Sequence, residues 1–258
     1  MGMATTGQVG ALLLVTGVGL AFWTFGDRDS TSTHEVSEQI STVRLDSPNA
    51  DITIKVGDGD KTTVEEKRRY WLVKQGDAYS VDGQTLKLDG DCGWQCRSDF
   101  VVTVPRGTKV TGENGSGDLT ISGVGGVDAT SRSGDISLTD VSGDVKLSLT
   151  SGDVEIDRLT GKLDLEATSG DVEATHLKGG SVNVETTSGD LTLELDEAND
   201  VIAKGTSSDV EVTAPAGGYR ITTDTRSGEV DNGLGNDPGG THRIEAKTVS
   251  GDVTLATR

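Results

Sequence analysis

Residues 133–174 read SGDISLTDVSGDVKLSLTSGDVEIDRLTGKLDLEATSGDVEA. At Ser133, Ser151 and Ser169 a Ser-Gly-Asp step is followed by an apolar residue and then by alternation: Ile136 and Leu138, Val154 and Ile156, Val172 and Ala174. A second alternating run fills the rest of each unit, Val145-x-Leu147-x-Leu149 and then Leu163-x-Leu165-x-Ala167, with glycine at the corners (Gly143, Gly161). Alternation with a period of two, in segments rich in Val, Ile and Thr, specifies half-buried strands and excludes a helix.

Outward from this stretch the step recurs. Its acidic members are Asp118, Asp135, Asp153, Asp171, Asp190, Asp209 (after Ser207-Ser208), Glu229 and Asp252, at spacings of 17, 18, 18, 19, 19, 20 and 23 residues. About 18 residues hold two strands of five or six plus two corners. A unit of this size cannot bury its apolar side alone, whereas stacking equivalent strands ~4.8 Å apart buries one continuous core. The expected fold is therefore all-β, a single-stack β-solenoid of about 18–20 residues per coil, with seven or so coils in a rod roughly 35 Å long. Independent sandwich strands would not predict the same tripeptide at each turn.

Composition agrees. Only nine of 258 residues are aromatic, and after residue 100 the sole aromatic is Tyr219, so a thin aliphatic core is indicated rather than a thick globular one. The net charge of −19 falls entirely on residues 27–258, which disfavours nucleic acid and anionic lipid as partners.

The segment from Val9 to Phe25, VGALLLVTGVGLAFWTF, is uncharged and ends in an aromatic cluster, Phe22, Trp23 and Phe25. It reads as a short transmembrane helix or signal anchor over 9–26, after a tail over 1–8; a cleaved signal peptide is the alternative. Residues 27–39 read as a polar tether, with His34 in it. Cys92 and Cys96, three residues apart around Gly93, suit a short disulfide-closed loop in an oxidising compartment, with two free thiols as the alternative. Residues 27–258 are thus expected outside a cell membrane crossed once.

Residues 40–110 are β-rich but less regular, with strands expected over 40–45, 51–56, 62–71, 79–81, 85–88 and 100–104; regular repeats occupy 111–258. In the stacked repeats the acidic residues form a column along one edge. Glycine supplies the corner angles, and the Asp side chain caps turn amides. The other reading of the column is divalent cation binding by oxygen ligands from successive turns. Hydroxyls at Thr150-Ser151, Thr168-Ser169, Thr187-Ser188 and Thr206-Ser207 form a second column, read as cross-strand pairs at the strand edge, with ordered-water binding of the kind seen in ice-binding solenoids as the alternative. His176 is placed at a corner and His242 in a loop. No nucleophile elbow, phosphate loop or His-Glu-x-x-His motif is present, so neither a catalytic residue nor a cofactor is assigned.

The run Val101-Val102-Thr103-Val104-Pro105, followed by Gly115-Ser116-Gly117-Asp118-Leu119 and Ser133-Gly134-Asp135-Ile136, resembles the bacterial "putative adhesin" domain family, a group of unknown function found on surface and membrane proteins. The resemblance covers residues 40–258. It implies a β-solenoid at the cell envelope and brings no catalytic residues. Related domains occur in proteins tied to envelope-stress sensing, so it implies a sensor scaffold as well as adhesion. The functional expectation is a non-catalytic surface module binding an envelope protein or glycan. A self-associating structural protein like the bactofilins and a carbohydrate-active β-helix enzyme are the alternatives.

Overall fold

A computed structural model describes residues 28–70, 78–90 and 96–258 of the chain. The expected membrane segment over 9–26 and Cys92 of the expected disulfide lie outside these residues. Among the described residues no helix is long and apolar enough to cross a membrane. Every regular element among the described residues is a β-strand.

Two sheets face each other across the core. One carries, side by side, Ile52–Val56, Leu119–Ser122, Ile136–Val141, Val154–Thr160, Val172–Lys178, Leu191–Leu195 and Val210–Ala214, all parallel. The other carries Thr42–Ser47, Lys109–Ser116, Gly126–Ser133, Val145–Ser151, Leu163–Ser169, Val182–Ser188 and Val201–Lys204, also parallel. The register follows the repeat: Ile136, Val154, Val172, Leu191 and Val210 are successive partners. The alternation read from the sequence places Val145, Leu147 and Leu149 inside, opposite Val154 and Ile156, all nearly inaccessible to water. One aliphatic core runs the length of the stack, with Phe100 buried toward one end and Tyr219 toward the other.

The corners depend on glycine at defined points. Gly152 has φ of +121°, and a Cβ on it would collide with the carbonyl oxygen of Gly134 one coil away. The column repeats at Gly134, Gly170 and Gly189, so backbone stacks on backbone where only glycine fits.

Three expectations are corrected. The tether over 27–39 contains a strand, Arg28–Val36, paired antiparallel with Thr62–Tyr70, which is in turn antiparallel to Cys96–Val104. Its polar sequence suits a sheet edge in contact with water rather than a linker. The rod is also longer than seven coils, because the irregular part over 40–110 adds to the stack: Thr85–Leu88 and Cys96–Val104 form a coil in register with Thr42–Ser47 and Ile52–Val56. With these strands one sheet has twelve among the described residues, so the rod is on the order of 50 Å long rather than 35 Å. His242 opens a strand, His242–Lys247, instead of lying in a loop.

Spatial order also departs from chain order at both ends. The coil containing Thr85–Leu88 and Cys96–Val104 lies outside the earlier coil of Thr42–Val56. At the other end, His242–Lys247 and Val253–Thr257 insert between the coil of Val201–Ala214 and an outermost coil formed by Tyr219–Asp224 and Val230–Asn232.

Candidate functional site

The corner that opens each strand of the first sheet carries the acidic column. Each Asp donates its backbone N–H to the side-chain oxygen of the Asp one coil before it. Asp135 donates to Asp118 (3.1 Å), Asp153 to Asp135 (2.9 Å), Asp171 to Asp153 (2.9 Å), Asp190 to Asp171 (2.8 Å) and Asp209 to Asp190 (2.9 Å). The same residue's carbonyl accepts the N–H of the first strand residue of the preceding coil, as Asp171 does from Val154 at 2.9 Å. The carboxylate thus satisfies an amide that the parallel ladder leaves over at the corner.

The ladder is longer than the Ser-Gly-Asp step. Asp118 donates to Asp51 (3.0 Å) and Asp51 to Asp99 (3.1 Å), although Ala50 precedes Asp51 and no glycine precedes either residue. The signal that could have found them is an Asp directly before an alternating run, as in Asp51-Ile52-Thr53-Ile54. At the far end the order follows space: Asp252 donates to Asp209 (2.8 Å) and Glu229 to Asp252 (2.8 Å), so Asp252 precedes Glu229. The eight acidic positions read from the sequence therefore share one edge with Asp51 and Asp99. One oxygen of each Asp of the column from Asp118 to Asp252 is committed to a backbone amide.

Beside the column, the outer face of the same sheet carries in-register polar residues. Ser137 pairs with Glu155, Glu155 with Glu173, Glu173 with Thr192 and Thr192 with Glu211. An open, shallow groove of about 450 Å³ runs over this face between Asp118 and Glu173. Among the described residues, no group of three or more His, Cys, Asp or Glu is placed to hold a metal ion.

The serine column is also in register, Ser151 with Ser169 and Ser169 with Ser188, continued by a bridge from Ser188 to Ser207. Just inside it lie buried hydroxyls that the alternation pattern did not single out. Ser131 donates to the Ser133 carbonyl (3.3 Å), Thr186 to that of Ser188 (3.2 Å) and Thr248 to that of Ser208 (2.9 Å).

His176 lies inside the strand Val172–Lys178 rather than at a corner; its φ of +55° repeats those of Arg158 (+61°) and Asp140 (+56°) at the equivalent positions of the two preceding coils. Arg158 donates to Asp140 (2.5 Å) and to Asp157, whose carboxylate also contacts His176 Nδ1 (3.0 Å). The hydrogen bond from Arg158 holds the Asp140 carboxyl below the ordinary carboxylate range. Lys87 does the same for Asp46 through a 2.7 Å contact. Burial pushes the Tyr219 hydroxyl up. These groups are spread along the rod. His34 lies on the first edge strand with its ring tilted against Tyr79, far in sequence and fold from the His176 cluster.

A comparison with curated proteins finds no match. Among solved structures, the chain is similar to a "putative cell adhesion protein" from Clostridium sporogenes ATCC 15579, at 10% identity over 90% of this chain and 100% of that chain, with a TM-score of 0.31. It is also similar to a "putative adhesin" from Bacteroides fragilis NCTC 9343, at 13% identity over 90% of this chain and 97% of that chain, with a TM-score of 0.35. The family model described as Toastrack DUF4097 matches residues 40–256, most of the chain and nearly all of the stacked sheets. With two parallel sheets, a glycine corner at each turn and this match over both, the chain belongs to the Toastrack DUF4097 family.

Proposed function

We propose that the chain is a non-catalytic interaction scaffold at the cell envelope, held to the membrane through residues 9–25 and presenting residues 27–258 outside. Its partner is an envelope protein or a glycan, and its contact surface is a sheet face rather than a pocket. The observation that supports this reading is the in-register outer column from Ser137 through Glu155, Glu173 and Thr192 to Glu211. Such a face spaces its side chains ~4.8 Å apart on a backbone hydrogen-bonded on both sides, which suits extended, repetitive ligands.

The test presents the full chain in detergent to a glycan array and to separated envelope proteins. Binding should fall at least about tenfold in a Glu155→Lys/Glu173→Lys variant whose unfolding midpoint is unchanged, because charges on a contact face set association. Absence of any binder, or a variant that binds like the wild type, would sink the proposal. Protease added to intact cells should cleave within 27–258; full protection would reject the outward placement.

A further inference from the structure

A stack of parallel strands ends in an edge that can take another strand, and solenoids need a cap at each end to remain single molecules. The outermost coil at one end is Tyr219–Asp224 with Val230–Asn232. Nine residues, 233–241, then lead from Asn232 to His242 in the adjacent coil. Elsewhere the same connection takes two to five residues, two between Thr160 and Leu163 and five between Leu195 and Val201. The long connection is thus more than geometry requires.

Its contacts are those of a missing strand. The backbone N–H of Asp237 donates to the Tyr219 carbonyl (2.9 Å), and the side-chain carbonyl of Asn236 accepts the Ile221 N–H (3.0 Å). These are outward-facing groups of the last strand, which a further coil would otherwise take. The segment is fixed from within. Asn232 Oδ1 accepts from Leu234 (3.2 Å) and Gly235 (3.1 Å), Asp237 Oδ1 accepts from Gly239 (2.9 Å), and Leu234 packs half-buried on the core. Tyr219 fills the end coil beneath it, fully buried, with its hydroxyl donating to the Pro215 carbonyl (3.1 Å).

The opposite end is closed differently. One sheet finishes in the polar antiparallel strand Arg28–Val36, the other in the four-residue antiparallel strand Tyr79–Asp82. Short, polar and direction-reversed edges resist strand addition.

We infer that residues 233–241 are a stop cap, occupying the place of the next coil so that the rod stays a single chain. The partner it excludes is a second copy of this chain. Because the other end is closed by its own strands and Val230–Asn232 is only three residues long, removing the cap frees the Tyr219–Asp224 edge of each molecule. Two such edges, Tyr219–Asp224 from each copy, pair antiparallel about a two-fold axis, giving a closed dimer instead of a fibre.

The test uses the full chain in detergent, with masses corrected for the micelle. The wild type should scatter light as a monomer across a wide concentration range. A variant with 233–241 replaced by a two-residue Gly-Lys corner should double in mass and stop there. An Asn236→Ala variant provides the second measurement: hydrogen exchange at the Ile221 amide should quicken about tenfold, the loss of one hydrogen bond. A wild type that self-associates, a folded short-corner variant that stays monomeric, growth into open polymers, or unchanged Ile221 exchange in Asn236→Ala would each overturn the inference.

Discussion

Replacing Asp171 tests whether the ladder stabilises the stack or merely decorates it. Its side-chain oxygen accepts the Asp190 N–H at 2.8 Å, and its own N–H donates to Asp153 at 2.9 Å. The corner is exposed, so water can replace a lost acceptor, and the bond is comparable to a helix N-cap, about 1 kcal/mol. Against it stands repulsion. Carboxylates one coil apart are ~4.8 Å from each other, which costs about 0.9 kcal/mol per neighbour in water. Physiological salt roughly halves this, leaving about 1 kcal/mol from the two neighbours together. Asp171→Asn keeps an acceptor and removes the charge, so it should stabilise by up to about 1 kcal/mol at physiological salt. Asp171→Ala loses both terms and should fall within about 0.5 kcal/mol of the wild type. At ~1 M salt only about 0.3 kcal/mol of repulsion remains, so Ala becomes destabilising by about 0.7 kcal/mol and Asn stabilises by only about 0.3 kcal/mol. Urea unfolding followed by circular dichroism at both salt concentrations reads all four values. If Asn and Ala are indistinguishable under both conditions, the ladder bond contributes nothing and the reasoning fails.

Other substitutions separate backbone, core and charge. Gly170→Ala puts a Cβ at φ of +123° against the Gly152 carbonyl and should cost about 3 kcal/mol or more, seen as a lower urea midpoint. Leu165→Ala opens a void in a fully buried position and should cost about 2–5 kcal/mol in the same assay. Asp140 has its pKa lowered from 3.8 by Arg158, so its contribution is present above pH 3.8 and is lost as pH falls through the lower folded value. Acid unfolding of Asp140→Asn should therefore show a shallower loss of stability below pH 3.8 than the wild type, and an identical acid limb would contradict the pairing.

The coil period and the inside-outside alternation were legible because each Ser-Gly-Asp step fixes a corner and each alternating run fixes a face. The step does not by itself say which corner. Ser142-Gly143-Asp144-Val145 has the same residues but turns at the opposite edge, where Asp144 accepts the Lys162 N–H at 3.0 Å. Asp51 and Asp99 occupy the acidic column without the glycine. The inverted order of the end coils was hidden for a different reason. A parallel strand makes the same local bonds on either edge of its neighbour, so Val253 pairs with Val210 on one side and Val230 on the other under one alternation rule. The widened spacing of 23 residues between Glu229 and Asp252 was the one trace of it in the sequence. The strand at 28–36 was missed because its half-buried positions Ser32 and His34 carry polar side chains, which apolar alternation does not detect.

Ten acidic side chains, from Asp99 through Asp51 and Asp118 to Asp252 and Glu229, follow one another by nine such hydrogen bonds along a single edge. At ~4.8 Å per step they form a line roughly 43 Å long, several times the ~8 Å screening length of physiological salt. Two unit charges in water interact with thermal energy at roughly 7 Å, more than the step between neighbours. The edge therefore behaves as a short linear polyelectrolyte, carrying a delocalised atmosphere of small cations along its length. A cationic ligand approaching this edge would release part of that atmosphere, and its affinity would fall with the logarithm of salt concentration, as it does for ligands of nucleic acids.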